Sequence, residues 1–182
     1  AKSVGRPFRG LEMAIVDNHG IELNQGERGE VVTKGVHTML GYYNDPKQTS
    51  DAFTENGWLK TGDIGYFDED GFLFLVDRSK DMIISGGENI YPTEIESVIY
   101  SHPAVFECAV FGIPDDEWGE LPAAHVIRVA DKSVSEQELI EYCLTKLARH
   151  KKPRLIKFVD SIPKTAIGKF QKNLIKTEYW ID

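Results

Sequence analysis

Thr61-Gly62-Asp63, Asp77-Arg78-Ser79-Lys80-Asp81 and Ser85-Gly86-Gly87-Glu88-Asn89 fall within one stretch, Thr61 to Glu96, where polar and glycine residues interrupt what would otherwise be plain strands. Upstream of and through this stretch run short apolar segments: Glu12 to Asp17, Glu30 to Thr33, Trp58 to Thr61, Ile64 to Phe67 and Phe72 to Val76. Asp68-Glu69-Asp70-Gly71 reads as a hairpin turn between the last two, because glycine supplies the positive φ that tight turns demand. One helix interrupts the strands, with Asp45 as N-cap, Pro46 in its first turn and Thr49, Ala52 and Phe53 on one face. Short strands at this spacing predict a small β-barrel or a strongly bent sheet.

Beyond Lys80 the pattern changes. After a short strand from Met82 to Ile84, Pro92 opens a helix with Ile95, Val98 and Ile99 on one face, and His102-Pro103 ends it. Val105 to Phe111, Ala123 to Val129 and Ile156 to Val159 read as strands, the first two separated by a polar loop from Pro114 to Glu120. Ser135 with Glu138 forms a capping box for a helix that turns Leu139, Ile140, Cys143, Leu144 and Leu147 inward. The expected class is therefore α+β: a small β-barrel-like subdomain over 1–79, then a small α/β lid over 80–182 with a three-stranded sheet and flanking helices.

At 182 residues the chain can bury a real core as one large or two small domains, and its apolar and charged fractions exclude disordered and fibrous classes. No apolar run approaches the roughly 20 residues that cross a bilayer, and the N-terminus lacks a signal pattern. These features predict a cytoplasmic protein without a transmembrane segment, peripheral membrane association remaining compatible. Cys108 and Cys143 lack metal-ligand spacing and sit in apolar segments, so both read as core; the five histidines are scattered, which argues against zinc or any other metal site. A net charge of −8 argues against nucleic acid as a partner. Yet between Lys146 and Lys176 ten basic residues face the single acid Asp160, a candidate surface for holding phosphates.

Taken singly, the motifs are ambiguous. Asp63 could be a turn residue, or a carboxylate that accepts both hydroxyls of a ribose beside the unobstructed Gly62. Arg78 could pair with Asp77 or Asp81, or present its planar fork to a ribose hydroxyl or phosphate. Gly86-Gly87 lacks the third glycine and the immediate helix of a dinucleotide fingerprint. Gly168-Lys169 is no Walker A loop, since Lys164 stands where its first glycine should be and Phe170 replaces the magnesium-binding Ser or Thr. Trp118, among acidic residues, could cap the lid's core or face a ligand.

In order and spacing, however, Trp58-Leu59-Lys60-Thr61-Gly62-Asp63, Asp77 to Ile83, Gly86-Gly87-Glu88-Asn89-Ile90-Tyr91-Pro92, Glu94-Ile95-Glu96 and Pro163-Lys164-Thr165 through Gly168-Lys169 resemble the adenylate-forming acyl-CoA synthetase family. The resemblance covers nearly the whole chain, from Gly5-Arg6-Pro7 to about Lys172. Two further family motifs, a Ser/Thr/Gly-rich phosphate loop and an aromatic motif beside the adenine, are absent here. The likeness therefore implies the C-terminal third of a synthetase, lacking its N-terminal domain and inactive alone. It implies an enzyme, a fatty-acid–CoA ligase, that uses ATP, Mg2+ and coenzyme A, with a carboxylic acid as its small-molecule partner. It also implies roles: Lys169 catalytic in adenylation, Asp63 and Arg78 on the nucleotide, Lys80 as hinge, and Gly86, Gly87, Trp118 and Lys152 along the coenzyme A channel. Transfer of the acyl group to a carrier protein, its oxidation, or a non-catalytic nucleotide-binding module are the alternatives.

Overall fold

The computed structural model describes residues 2–180, which form two compact units, one ending at Lys80 and one beginning at Asp81. In the first unit β1 (Leu11–Val16), β2 (Gly29–Gly35), β3 (Leu59–Phe67) and β4 (Leu73–Arg78) make an antiparallel sheet in sequence order. The expected barrel does not form. In this sheet β1 pairs with β2 and β4 with β3, and the outer edge of β4 is met instead by the N-terminal segment, where Val4 N–H donates to Leu73 C=O and Leu73 N–H to Gly5 C=O. With that edge satisfied, nothing draws β1 and β4 together. Apolar side chains line both faces of the open sheet: Ala14, Val16 and Val32 with Trp58 in one cluster, Ile15, Val31 and Leu73 with Met13 and Phe67 in another.

Local chemistry explains the connections. Asp45 Oδ1 caps α1 (Pro46–Ala52) by accepting from Gln48 N–H at 2.8 Å, and proline occupies the first turn, where no backbone donor is missed. In the turn after β3, Asp68 accepts from Gly71 and Phe72 N–H, and Gly71 takes φ +77°. The two runs expected as separate strands, Trp58 to Thr61 and Ile64 to Phe67, are a single strand with an irregularity at its middle.

The second unit contains β5 (Ile83–Ser85), β6 (Glu88–Ile90), α2 (Pro92–Tyr100), β7 (Val105–Asp115), β8 (Gly119–Arg128), α3 (Glu136–Leu144), β9 (Leu155–Phe158) and α4 (Lys172–Lys176). Its sheet has five strands in the order β6-β5-β8-β7, with β9 parallel to β8, rather than the three expected. The difference is the β5–β6 hairpin, which joins β8 at Ser85 and Gly119. The predicted polar loop also shrinks to Asp116, Glu117 and Trp118, because β7 and β8 keep pairing out to Asp115 and Gly119. Alternation along β7 sends Cys108 and Val110 into a cluster with Ile95 and Ile99 of α2 and Leu139 and Cys143 of α3. Ala109 and Phe111 point the other way, toward Ile162 and Ile175 of the C-terminal segment. Leu144, expected inward, is exposed at the end of α3. Both cysteines are buried, and burial pushes the Cys143 thiol up to about 11 and Cys108 higher still. The capping box at Ser135 and Glu138 forms as expected.

Candidate functional site

Thr61-Gly62-Asp63 is a bulge. Between the pairs Val32–Lys60 and Glu30–Ile64, these three residues of β3 oppose Val31 alone. Gly62 takes φ +73°, and side chains replace the lost ladder: Thr61 Oγ1 donates to Val31 C=O at 2.7 Å and accepts from Asp63 N–H at 3.1 Å, while Glu30 accepts from Gly62 N–H at 3.3 Å. Asp63 is thereby set opposite Arg78 at the end of β4, whose Nη1 donates to Asp63 Oδ1 at 2.8 Å. Their side chains are 27% and 56% exposed, so the pair contributes about 0–1 kcal/mol and yields readily to a competing ligand. Directly after Arg78, Ser79–Asp81 make a 3-10 turn that carries the exposed Lys80 across the junction of the two units.

In the second unit Gly86 and Gly87 form the two-residue turn of the β5–β6 hairpin, with φ +58° and +83°, the combination a type I′ turn requires. Gly86 N–H donates to Trp118 C=O at 2.8 Å, and a Cβ on Gly86 would stand 2.6 Å from the indole. Trp118 therefore braces the glycine turn, while the residue stays 45% exposed. Its loop is held by Asp115, which accepts from Glu117 and Trp118 N–H.

Lys169 lies on a second hairpin, closed by a bridge between Lys164 and Phe170. Thr165 organises it: its N–H donates to Lys169 C=O at 2.8 Å, its C=O accepts from Gly168 N–H, and its Oγ1 accepts from Lys169 N–H. The Lys169 ammonium is exposed and has no hydrogen bond or ion pair among the described residues. Its neighbours differ. Lys164 binds Glu107 at 2.6 Å, Lys172 binds Glu96 at 2.7 Å, Lys157 binds Glu178 at 3.1 Å and Lys151 binds Glu94 at 2.7 Å. Lys152 is half-buried and, among the described residues, forms no ion pair.

The structure thus brings together Asp63 with Arg78 in the first unit and Gly86 with Trp118 in the second; within the second unit Lys152 and Lys169 make no hydrogen bond or ion pair with Gly86 or Trp118. A polar hollow of about 340 Å³ in the first unit, lined by residues including Asp17, His19, Glu30, Asn56 and Lys60, contains none of the predicted site residues. Among the described residues no group of three or more His, Cys, Asp or Glu side chains could hold a metal ion, and no helix is long and apolar enough to cross a membrane. Sequence reasoning missed the roles of Glu96 and Glu107 as partners of the basic segment. The available cue was a glutamate one residue from the buried Ile95 on a helix, where an acid needs a compensating cation.

Residues 94–169 match the AMP-binding enzyme C-terminal domain, and residues 1–43 match the AMP-binding enzyme family. The chain belongs to the AMP-binding enzymes. Among relatives of this family, the long-chain-fatty-acid–CoA ligase FadD13 of Mycobacterium tuberculosis is 49% identical over 98% of the chain, and the 2-succinylbenzoate–CoA ligase of Bacillus pumilus 47% over 99%. The chain spans 35% and 36% of their respective lengths. ATP-bound MatB from Rhodopseudomonas palustris is 36% identical, superimposes with a TM-score of 0.90 and is matched over 97% of this chain and 35% of its own. Apo MatB, at the same identity, gives a TM-score of 0.66.

Proposed function

We propose that this chain is the C-terminal portion of a longer cytoplasmic acid–thiol ligase that activates a carboxylic acid, here a fatty acid, as acyl-AMP and transfers the acyl group to coenzyme A. The observation that carries this reading is Lys169: within a basic segment where Lys151, Lys157, Lys164 and Lys172 are paired with carboxylates, the motif lysine is exposed at a hairpin whose backbone is fixed and whose charge is free. A free carboxylate is a poor acyl donor and must become a mixed anhydride with AMP as leaving group. As it attacks the α-phosphorus of ATP, the bond to the β-phosphate breaks and pyrophosphate leaves; negative charge builds around the α-phosphorus, and an ammonium delivered there offsets it. Magnesium would travel on the nucleotide phosphates, as it commonly does, rather than in a cage of this chain's carboxylates.

Asp63 accepts the ribose hydroxyls, and Arg78 trades its weak bond with Asp63 for one to the nucleotide. For the second half-reaction the thiol must approach where Lys169 had been, so the lid, residues 80–182, turns about Lys80 relative to 1–79 and to the N-terminal domain of the parent. The exposed side chain of Lys80 in a short 3-10 turn suits a pivot, and the two TM-scores of MatB support more than one arrangement over this region in that relative. Gly86 and Gly87 then flank the pantetheine arm, which can approach a backbone without Cβ atoms closely. Trp118 meets the coenzyme A nucleotide and the unpaired Lys152 its phosphate.

The test uses the full-length enzyme. Lys169→Ala lowers adenylation by about 10²–10³-fold, measured as acid-dependent ATP–pyrophosphate exchange, and leaves thioester formation from preformed acyl-AMP largely intact. Equal loss of both steps defeats the assignment. A panel of fatty and aromatic acids identifies the acyl group, and the 182-residue chain alone releases no pyrophosphate.

A further inference from the structure

Lys169 is unpaired, but the segment carrying it is tied down on both sides. Five residues before it, Lys164 binds Glu107 of β7 at 2.6 Å; three residues after it, Lys172 binds Glu96 of α2 at 2.7 Å. Both ties meet one strand edge. β7 ends the sheet, and its Val110 N–H donates to Glu96 Oε1 at 2.8 Å, the same oxygen that holds Lys172. The Glu96–Lys172 side chains are only 15% and 11% exposed, so this is a partly desolvated, directional contact rather than a loose surface pair. Phe170 packs in the cluster below the sheet, and Gln171 N–H donates to Pro163 C=O at 2.9 Å, closing the base of the hairpin between the two ties.

We propose that Glu96 and Glu107 are positioning residues for Lys169, holding its hairpin through Lys172 and Lys164 so that the ammonium reaches the reacting phosphate at a fixed distance. The proposal rests on the role of Lys169 given above and adds what aims it. Glu96 lies on α2, the helix that follows the Gly86-Gly87 hairpin through β6. One carboxylate therefore fastens the adenylating lysine to the element leading from the thiol-side glycines, so withdrawing one and advancing the other is a single motion.

In the full-length enzyme, Glu96→Gln keeps an acceptor for Val110 N–H and removes the charge that holds Lys172. Adenylation kcat should fall by about ten- to a hundredfold, the penalty of a misplaced catalytic group, with KM for ATP and thioester formation from preformed acyl-AMP each within about twofold of the parent. Glu96→Gln/Glu107→Gln should fall further, and Lys172→Arg should recover most of the activity that Lys172→Met loses. Parent-like adenylation in the double variant overturns the proposal, as does equal loss of both half-reactions. Where Glu96→Gln does not fold, the more exposed pair decides: full adenylation by Glu107→Gln overturns it. Lys169→Ala is assayed alongside. If that variant adenylates normally, the failure lies with the lysine itself; if it is dead while the glutamine variants are normal, only the positioning proposal fails.

Discussion

Two hairpins of the second unit, β5–β6 and the one carrying Lys169, place left-handed glycines at their tips for different reasons. Around Gly86 the space is filled: the Trp118 ring lies where a Cβ would go, and the backbones of the two loops are bonded to each other. Around Gly168, φ +82°, nothing lies within 4 Å of the equivalent position. The first glycine is required by space and by backbone angle, the second by angle alone. A hairpin braced at its tip suits a wall; one open at its tip and fastened at its base suits a group that must be presented and then withdrawn.

The largest expected effect tests the first half of that contrast. Gly86→Ala should destabilise the second unit by about 1–2 kcal/mol through the left-handed backbone alone and further by displacing the indole, visible in tryptophan fluorescence and in Tm. In a Trp118→Ala background the extra cost should vanish, leaving only the backbone part; strict additivity of the two substitutions in chemical denaturation would break the brace. Gly168→Ala should come next, costing about 1–2 kcal/mol or less because the open tip can relax, with no change in tryptophan signal.

The smallest effect concerns the support beneath the Lys169 hairpin. His125 is 3% exposed, its Nε2 lies 2.9 Å from Tyr179 Oη in the C-terminal segment, and its ring packs edge-on against Phe111. Burial, then the nearby Lys157 ammonium, holds its pKa below the ordinary 6.5, with Glu178 opposing weakly. The unfolded chain therefore binds a proton that the folded chain refuses. The associated stability is fully present above about pH 6.5 and is lost as pH falls from there to the depressed folded value. Hydrogen exchange, corrected for its intrinsic pH dependence, should show residues 162–180 loosening on mild acidification before β5 and β6 do, and His125→Gln should flatten the trend. Simultaneous loosening of both regions would erase the distinction between them.

Much of this was legible in the sequence because it is local. Asp45-Pro46, Ser135 with Glu138, and the period of Ile95 and Ile99 each announce a helix through contacts within four residues, and the structure has all three. The strand expected from Val105 to Phe111 is likewise present, within β7. What was not legible depends on partners far apart in sequence. The barrel failed because β4 finds Val4 and Gly5, some seventy residues upstream, at its free edge. The second sheet gains two strands from a hairpin: β5 matches the short strand expected from Met82 to Ile84, whereas the three residues of β6 are too few to show a period. At the candidate site, the acids nearest Arg78 in sequence are Asp77 and Asp81, whereas cross-strand register gives its guanidinium Asp63. Glu96, beside Ile95, called for a cation, but the sequence did not say which: no lysine or arginine lies between Asp81 and Ile127, so Lys172 and Lys164 had to come from far along the chain.

The three-against-one arrangement at Thr61-Gly62-Asp63 constrains how this strand can evolve. Side chains alternate faces along a strand, so losing one residue there would turn Ile64 to Phe67 upside down against the sheet, putting Ile64, now buried, on the wrong side. Losing two would preserve the alternation yet remove the detour that presents Asp63 to Arg78. The segment's length is therefore quantised in twos, and only the longer of the two nearest lengths keeps a carboxylate at that corner.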